Sequence, residues 1–109
     1  MAKDGILAQV APTTTAADTL LYQAQAGARI AVFVCNRNAA PQTFRLRLVT
    51  KGNSAPATPE SRQFVFYDTN VDNGATLEVA NTIRLAEGDA IWVRPSSVDM
   101  TFTVIGVEA

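Results

Sequence analysis

Three places in the sequence combine side-chain types and spacings that could support chemistry. The first is Asp68-Thr69-Asn70-Val71-Asp72-Asn73-Gly74, whose oxygen-bearing residues stand at the first, third and fifth positions of a calcium-type loop. The pattern then fails twice. Asn73 occupies the position where the sharp turn requires glycine, and Val79 the position where a bidentate Glu belongs. Asp, Asn and Gly are also the ordinary residues of a β-turn, so a structural turn is expected, with no metal and no cofactor. The second place is Glu87 and Asp89 on either side of Gly88, with Asp99 as a possible third carboxylate. A glycosidase needs two carboxylates about 5 Å or about 6.5–9.5 Å apart across a cleft. A solvated turn accounts for Glu87 and Asp89 more simply. The third is Cys35, which sits in an apolar run with no histidine to activate it and reads as a small buried hydrophobe.

The chain has no histidine at all. That removes the commonest general base, the usual triad base and the commonest metal ligand. No nucleophile motif is present either, so no catalytic residue is predicted and the chain is not expected to be an enzyme. One cysteine cannot form an internal disulfide, so the fold does not depend on an oxidising compartment. The net charge of −1 gives no global reason to bind nucleic acid or an anionic membrane. No run approaches the roughly 18 apolar residues of a transmembrane span. Met1-Ala2-Lys3-Asp4 leads into no apolar signal core, which points to synthesis in a cytoplasm and release by lysis.

Charge is unevenly distributed. Residues 37–62 hold Arg37, Arg45, Arg47, Lys51 and Arg62 against Glu60 alone. From Gln63 onward, Arg84 and Arg94 face Asp68, Asp72, Glu78, Glu87, Asp89, Asp99 and Glu108. Either the two halves neutralise each other across strands of one domain, or they form complementary surfaces between subunits.

The elements that must position these residues are strands. With 48% hydrophobic and 17% charged residues, 109 residues make one folded domain with a real core. Ile83 to Val93 organises the reading: two β-forming segments flank Glu87-Gly88-Asp89, where Gly88 supplies a positive φ and Asp89 can bond the turn's amides. A tight acidic hairpin tip is expected there. Ile91 and Val93 point to the core, and Trp92 and Arg94 point the other way. Phe44, Leu46 and Leu48 alternate with Arg45, Arg47 and Val49 in the clearest half-buried strand. Arg45, Arg47, Trp92 and Arg94 together are the candidate inter-subunit contact. Ala28 to Asn36 reads as a central strand covered on both sides. Further strands are expected at Thr19–Gln23, Gln63–Tyr67, Ala75–Val79 and Met100–Val107, with the longest loop at residues 51–59. Residues 1–18 read as an N-terminal arm and linker, within which Gly5 to Val10 is an edge strand or an arm, and residues 19–109 as the sandwich. Eight or nine short segments recur at roughly 10-residue spacing without a convincing helix, which predicts an all-β, antiparallel, jelly-roll-like β-sandwich. An immunoglobulin-like sandwich is second, because no Cys pair with an intervening Trp favours it.

Val34-Cys35-Asn36-Arg37, Thr43-Phe44-Arg45-Leu46, Tyr67-Asp68-Thr69, the stretch from Leu85 to Val93 and the ending Phe102 to Glu108 resemble small structural proteins of tailed bacteriophages. The resemblance runs from about Leu20 to Glu108 and rests on strand-and-turn patterns. It implies a virion component that self-associates as a homo-oligomer, trimer or higher. It implies docking on other virion proteins as capsid decoration or cement, or as a tail or baseplate accessory, with no catalytic residues. The alternative is a carbohydrate- or receptor-binding sandwich, with Trp92, Tyr22 and Tyr67 as its aromatic candidates.

Overall fold

Met100, Phe102 and Val104 alternate with Thr101, Thr103 and Ile105, and a period of two is the period of a strand with one buried face. A computed structural model describes residues 3–51 and 61–109 of the chain. In it those three apolar residues are wholly buried within strand β8, Met100–Glu108. The other strands are β1 (Lys3–Val10), β2 (Thr19–Gln23), β3 (Ala28–Asn36), β4 (Gln42–Val49), β5 (Phe64–Val71), β6 (Thr76–Leu85) and β7 (Ala90–Pro95). One 3-10 turn, Ser61–Gln63, leads into β5.

The strands form two four-stranded antiparallel sheets packed as a sandwich. Sheet A runs β1-β8-β3-β6 and sheet B runs β2-β7-β4-β5. Among the described residues only β4 and β5 are successive strands paired in one sheet; every other step between described strands changes sheet. The core between them holds Ile30, Val32 and Val34 of β3, Phe44 and Leu46 of β4, Ile91 and Val93 of β7, and the β8 trio. Phe44 meets Phe102 across the sheets edge to face, with ring centroids 6.0 Å apart.

The all-β sandwich is as the periodicity predicts, and Ile91 and Val93 are core residues. Several local readings change. The Ile83–Val93 segment is no hairpin, because β6 belongs to sheet A and β7 to sheet B. Both flanks are apolar because each buries one face against the common core, and the turn is a corner between sheets. Gly88 does carry the positive φ, at 90°. Asp89 accepts from the Ala86 amide at 2.9 Å and from the Lys51 amide at 3.0 Å. The segments read as Ala75–Val79 and Ile83 onward are one ten-residue strand, β6, whose pairing with β3 shifts register twice. Bulges of this kind broke the alternation that marks a single strand. In β2, a register shift between Leu20 and Tyr22 lets neighbouring Leu21 and Tyr22 both turn inward, where strict alternation separates them. Strand β3 is covered on one face only; Ala31, Phe33 and Cys35 are half-buried on the other, so Cys35 lies outside the core.

Lys3–Val10 lies along β8 from Lys3↔Glu108 to Val10↔Phe102, as an edge strand of its own sandwich. The following linker is anchored too: Pro12 is buried, and Asp18 reaches into sheet B. The expected long loop falls mostly on residues 52–60, outside the described residues, as does Glu60 of the charge count.

Candidate functional site

Antiparallel pairing sets the outward residues of β4 and β7 directly opposite each other. Arg45 faces Arg94, and Arg47 faces Trp92. The four residues expected to share a surface are therefore neighbours on the outer face of sheet B. Two stacked arginine positions on one face need acids or water, and the structure supplies the two differently.

Arg47 is only 1% exposed, and its guanidinium is held within its own chain. Nε donates to Asp18 at 2.5 Å, and Nη1 donates to the buried Gln63 Oε1 at 2.9 Å. Its guanidinium carbon lies 5.5 Å from the centre of the Trp92 ring, within cation–π range. Arg47 is thus an internal anchor and, unlike the surface residue the alternation suggests, offers almost no area to a neighbouring subunit. The sequence concealed this because strict alternation marks every second β4 residue as solvent-facing, while the cover comes from the linker and the 3-10 turn. Trp92 is half-buried in the same seam. Trp92 Nε1 and Arg47 Nη2 are both buried donors without a partner among the described residues.

Arg45 and Arg94 lie nearer the surface. Arg94 Nε donates to the Thr15 carbonyl at 3.0 Å, so the linker crosses this face and is fixed at two points. Arg45 Nε donates to Asp68 at 2.7 Å, and its guanidinium stacks 4.1 Å from the centre of the Tyr67 ring. The backbone explains this second cluster. Phe44 pairs with Thr69 and Leu46 with Phe66, so two residues of β5, Tyr67 and Asp68, oppose Arg45 alone. That is a bulge. Asp68 adopts a φ of 50°, a left-handed conformation that Asp tolerates better than most residues. Both side chains consequently turn to the outer face beside the arginine. The Arg45 guanidinium hydrogen-bonds the Asp68 carboxylate and holds its pKa below the ordinary value. A polar depression of about 200 Å³ opens here, lined by Thr15, Thr43, Arg45, Asp68, Arg94 and Ser96.

The calcium-like segment divides between elements. Asp68 to Val71 belongs to β5, so the polar loop starts later than the sequence suggests. The turn itself closes between Asp72 O and Ala75 N at 3.1 Å, with Gly74 at positive φ. Asn36, fully buried, holds it in place by donating to the carbonyls of Val71 (3.0 Å) and Asp72 (3.3 Å). The oxygens that would bind a cation are engaged: Asp68 with Arg45, and Asp72 with the Asn70 amide. No cluster of three His, Cys, Asp or Glu side chains suited to a metal occurs among the described residues.

Nor do the carboxylates of the other candidate converge. Asp89 precedes β7 and Asp99 follows it, so the six-residue strand separates them by roughly 20 Å. Asp89 is spent on backbone amides, and Asp99 accepts from Asn38 at 2.9 Å. Of the three aromatics with polar tips, Tyr22 is buried and donates its hydroxyl to the buried Glu108 across the two sheets. Burial first, and the hydrogen bond and charge of Glu108 second, hold that hydroxyl's pKa far above the usual phenol value. Tyr67 alone is well exposed, at 58%.

The basic and acidic halves do meet within the chain at Arg45–Asp68 and, more loosely, at Lys51–Glu87, 4.0 Å apart. Arg47 takes its acid from Asp18 in the first third of the chain, whose charges sum to zero. No family model matches the chain, and no curated protein and no solved structure matches it.

Proposed function

We propose that this chain is a non-enzymatic structural component of a tailed-phage virion. On this reading it self-associates and docks on the capsid, as decoration or cement, or on the tail or baseplate. The support comes from the strand-and-turn resemblance and from one structural observation: a cluster of exposed aliphatic residues on the outer face of sheet A. Ile6, Ile105 and Val107 stand there 64%, 40% and 46% exposed. Contiguous apolar surface of this kind marks a contact site more often than it marks free solvent-facing sheet. The order β1-β8-β3-β6 against β2-β7-β4-β5, with two sheets of four strands, supports the jelly-roll form of the sandwich. Such a rigid module carries its contacts on sheet faces and edges. Imaging purified particles with a labelled copy of this chain tests the reading. Density at a fixed position on head or tail is the expected result, and particles free of the chain would refute it.

A second reading, a carbohydrate- or receptor-binding module, draws on Tyr67 beside the Arg45–Arg94 depression. Arg45 already occupies one face of that ring. Glycan-array binding that disappears in Tyr67→Ala, with the fold retained, would favour it. Trp92→Ala would disturb the Arg47 seam and does not make the same test.

A further inference from the structure

The pairing registers of sheet A arrange its outward residues in rows across β1, β8, β3 and β6. The end row is Asp4, Val107, Arg29, Arg84. The next holds Ile6, Ile105 and Ala31, and the one beyond it Gln9, Thr103, Phe33 and Glu78. The Ile6–Ile105–Ala31 row is aliphatic, Val107 extends it, and the rows on either side carry charge at Asp4, Arg29, Arg84 and Glu78. That is the anatomy of a protein interface, with an apolar centre and a polar border. Arg29 and Arg84 sit directly opposite each other, both exposed, and neither forms an ion pair among the described residues. Like charges so placed repel unless an acid is supplied from elsewhere.

We infer that a second copy of this chain covers the face, related by a two-fold axis parallel to the strands. This deepens the self-association in the reading above and does not depend on the virion role. The axis carries β1 over the second copy's β6 and β8 over its β3, with each row meeting its own copy. Asp4 at one edge then meets Arg84 of the second copy, and the reverse contact repeats it. Large residues meet small ones: Ile105 lies over the second copy's Ala31, and Phe33 over its Thr103. Sheets packed face to face stay aligned within about 30°, so the β8 and β3 residues beside the axis keep this correspondence most closely. Four strands about 4.8 Å apart and roughly 26 Å long present on the order of 500 Å² per copy, at the floor of about 1,000 Å² in total for a specific contact. A two-fold contact is self-complementary, and it requires an even number of copies.

Sedimentation of the isolated full chain over a range of concentrations tests this. The wild type should reach twice the monomer mass, and Ile105→Lys should remain monomeric with an unchanged far-ultraviolet spectrum. Ile6→Lys, on the edge strand, reads the same face should Ile105→Lys not fold. Asp4→Arg and Arg84→Asp should each weaken association about tenfold, and the double variant should recover most of it. A strictly monomeric wild type, an odd number of copies, or a mass unaffected by lysine at this face overturns the proposal. So does a double variant no better than its parents. Particle imaging is scored separately. A dimer missing from particles refutes only the virion role, and a monomer present in particles refutes only the two-fold contact.

Discussion

The two outer faces of the sandwich differ in how they are finished. Sheet B carries arginines and aromatics, and its own chain pairs the three arginines while leaving Tyr67 exposed. The linker fixes Arg94 through Thr15 and Arg47 through Asp18, and Gln63 closes the other side. Sheet A carries Ile6, Ile105 and Val107, and nothing in the described chain crosses them. The arginines of sheet B are therefore largely satisfied within the chain, while sheet A leaves both its aliphatic row and the Arg29–Arg84 pair without a partner among the described residues. Charged and aromatic residues draw attention in a sequence, yet burial decides which of them a partner can reach.

The sharpest way to break this contrast is at Asp18. Asp18→Ala leaves the Arg47 guanidinium buried without its counter-charge and should destabilise the fold by about 3–5 kcal/mol. Arg47→Met in the same background should recover much of that, because an apolar side chain needs no partner there. Urea unfolding of both variants checks it. A loss below about 1 kcal/mol for Asp18→Ala would mean that the pair behaves as a surface pair and that the linker does not seal sheet B. On the same grounds, removal of residues 1–17 should destabilise the sandwich, since it also uncovers the β8 edge.

In sheet A the corresponding tight contact is made by backbone. A β-carbon at Gly106 would lie 2.2 Å from the Arg29 carbonyl oxygen and 2.7 Å from the Ile30 Cα. Neither can move without separating β8 from β3. Gly106→Ala should thus cost about 1–3 kcal/mol, the usual range for overpacking, with a lowered thermal midpoint as the readout. Gly106→Ala equal to wild type would show that the β8–β3 pair is looser than this spacing implies.

Tyr22 and Glu108 tie the two sheets together. Tyr22→Phe keeps the ring and removes the donor, leaving the buried carboxylate with Lys3, 3.9 Å away. A loss of about 1–3 kcal/mol is expected at neutral pH. The pH dependence has a definite sign. The folded state holds the Tyr22 proton above the usual phenol value of about 10, so its contribution is complete below that pH. The contribution falls as pH rises beyond it, because the unfolded chain ionises first. Wild type should lose stability above about pH 10 more steeply than Tyr22→Phe, and equal slopes would contradict the assignment.

How much of this the sequence disclosed depends on the range of the interaction. Strand periodicity is local, so Phe44, Leu46, Ile91, Val93 and the β8 trio were legible as core. The Gly88 turn was legible too, because a positive φ and an amide-binding Asp are written in adjacent residues. What failed was pairing between distant segments. A corner between sheets and a hairpin use the same turn residues, and only the partners of β6 and β7 separate them. Arg47 was misplaced for a like reason: its cover comes from Asp18, 29 residues earlier in the chain, and from Gln63, 16 residues later. Bulges hid the rest, by breaking alternation at Leu21 and by bringing both Tyr67 and Asp68 to Arg45.

The Arg45–Asp68 pair supplies the smallest effect and sharpens the comparison within sheet B itself. It sits one row from Arg47, on the same strand and the same face, with a bond of 2.7 Å against 2.5 Å. Bond length alone would rank the two pairs as equals. Solvent separates them, since the Asp68 side chain is 52% exposed and that of Asp18 only 6%. Water screens an exposed pair and solvates either charge when its partner is removed. Arg45→Ala should therefore leave the unfolding midpoint at neutral pH close to wild type, far from the shift caused by Asp18→Ala. Arg45 holds the Asp68 pKa low, so whatever the pair contributes is present above the ordinary carboxylate value and is lost as pH falls through the lowered one. Arg45→Ala should accordingly flatten a shallow acid limb in a stability-versus-pH curve. If Arg45→Ala and Asp18→Ala proved equally damaging, cover by the linker could not be what distinguishes the two arginines.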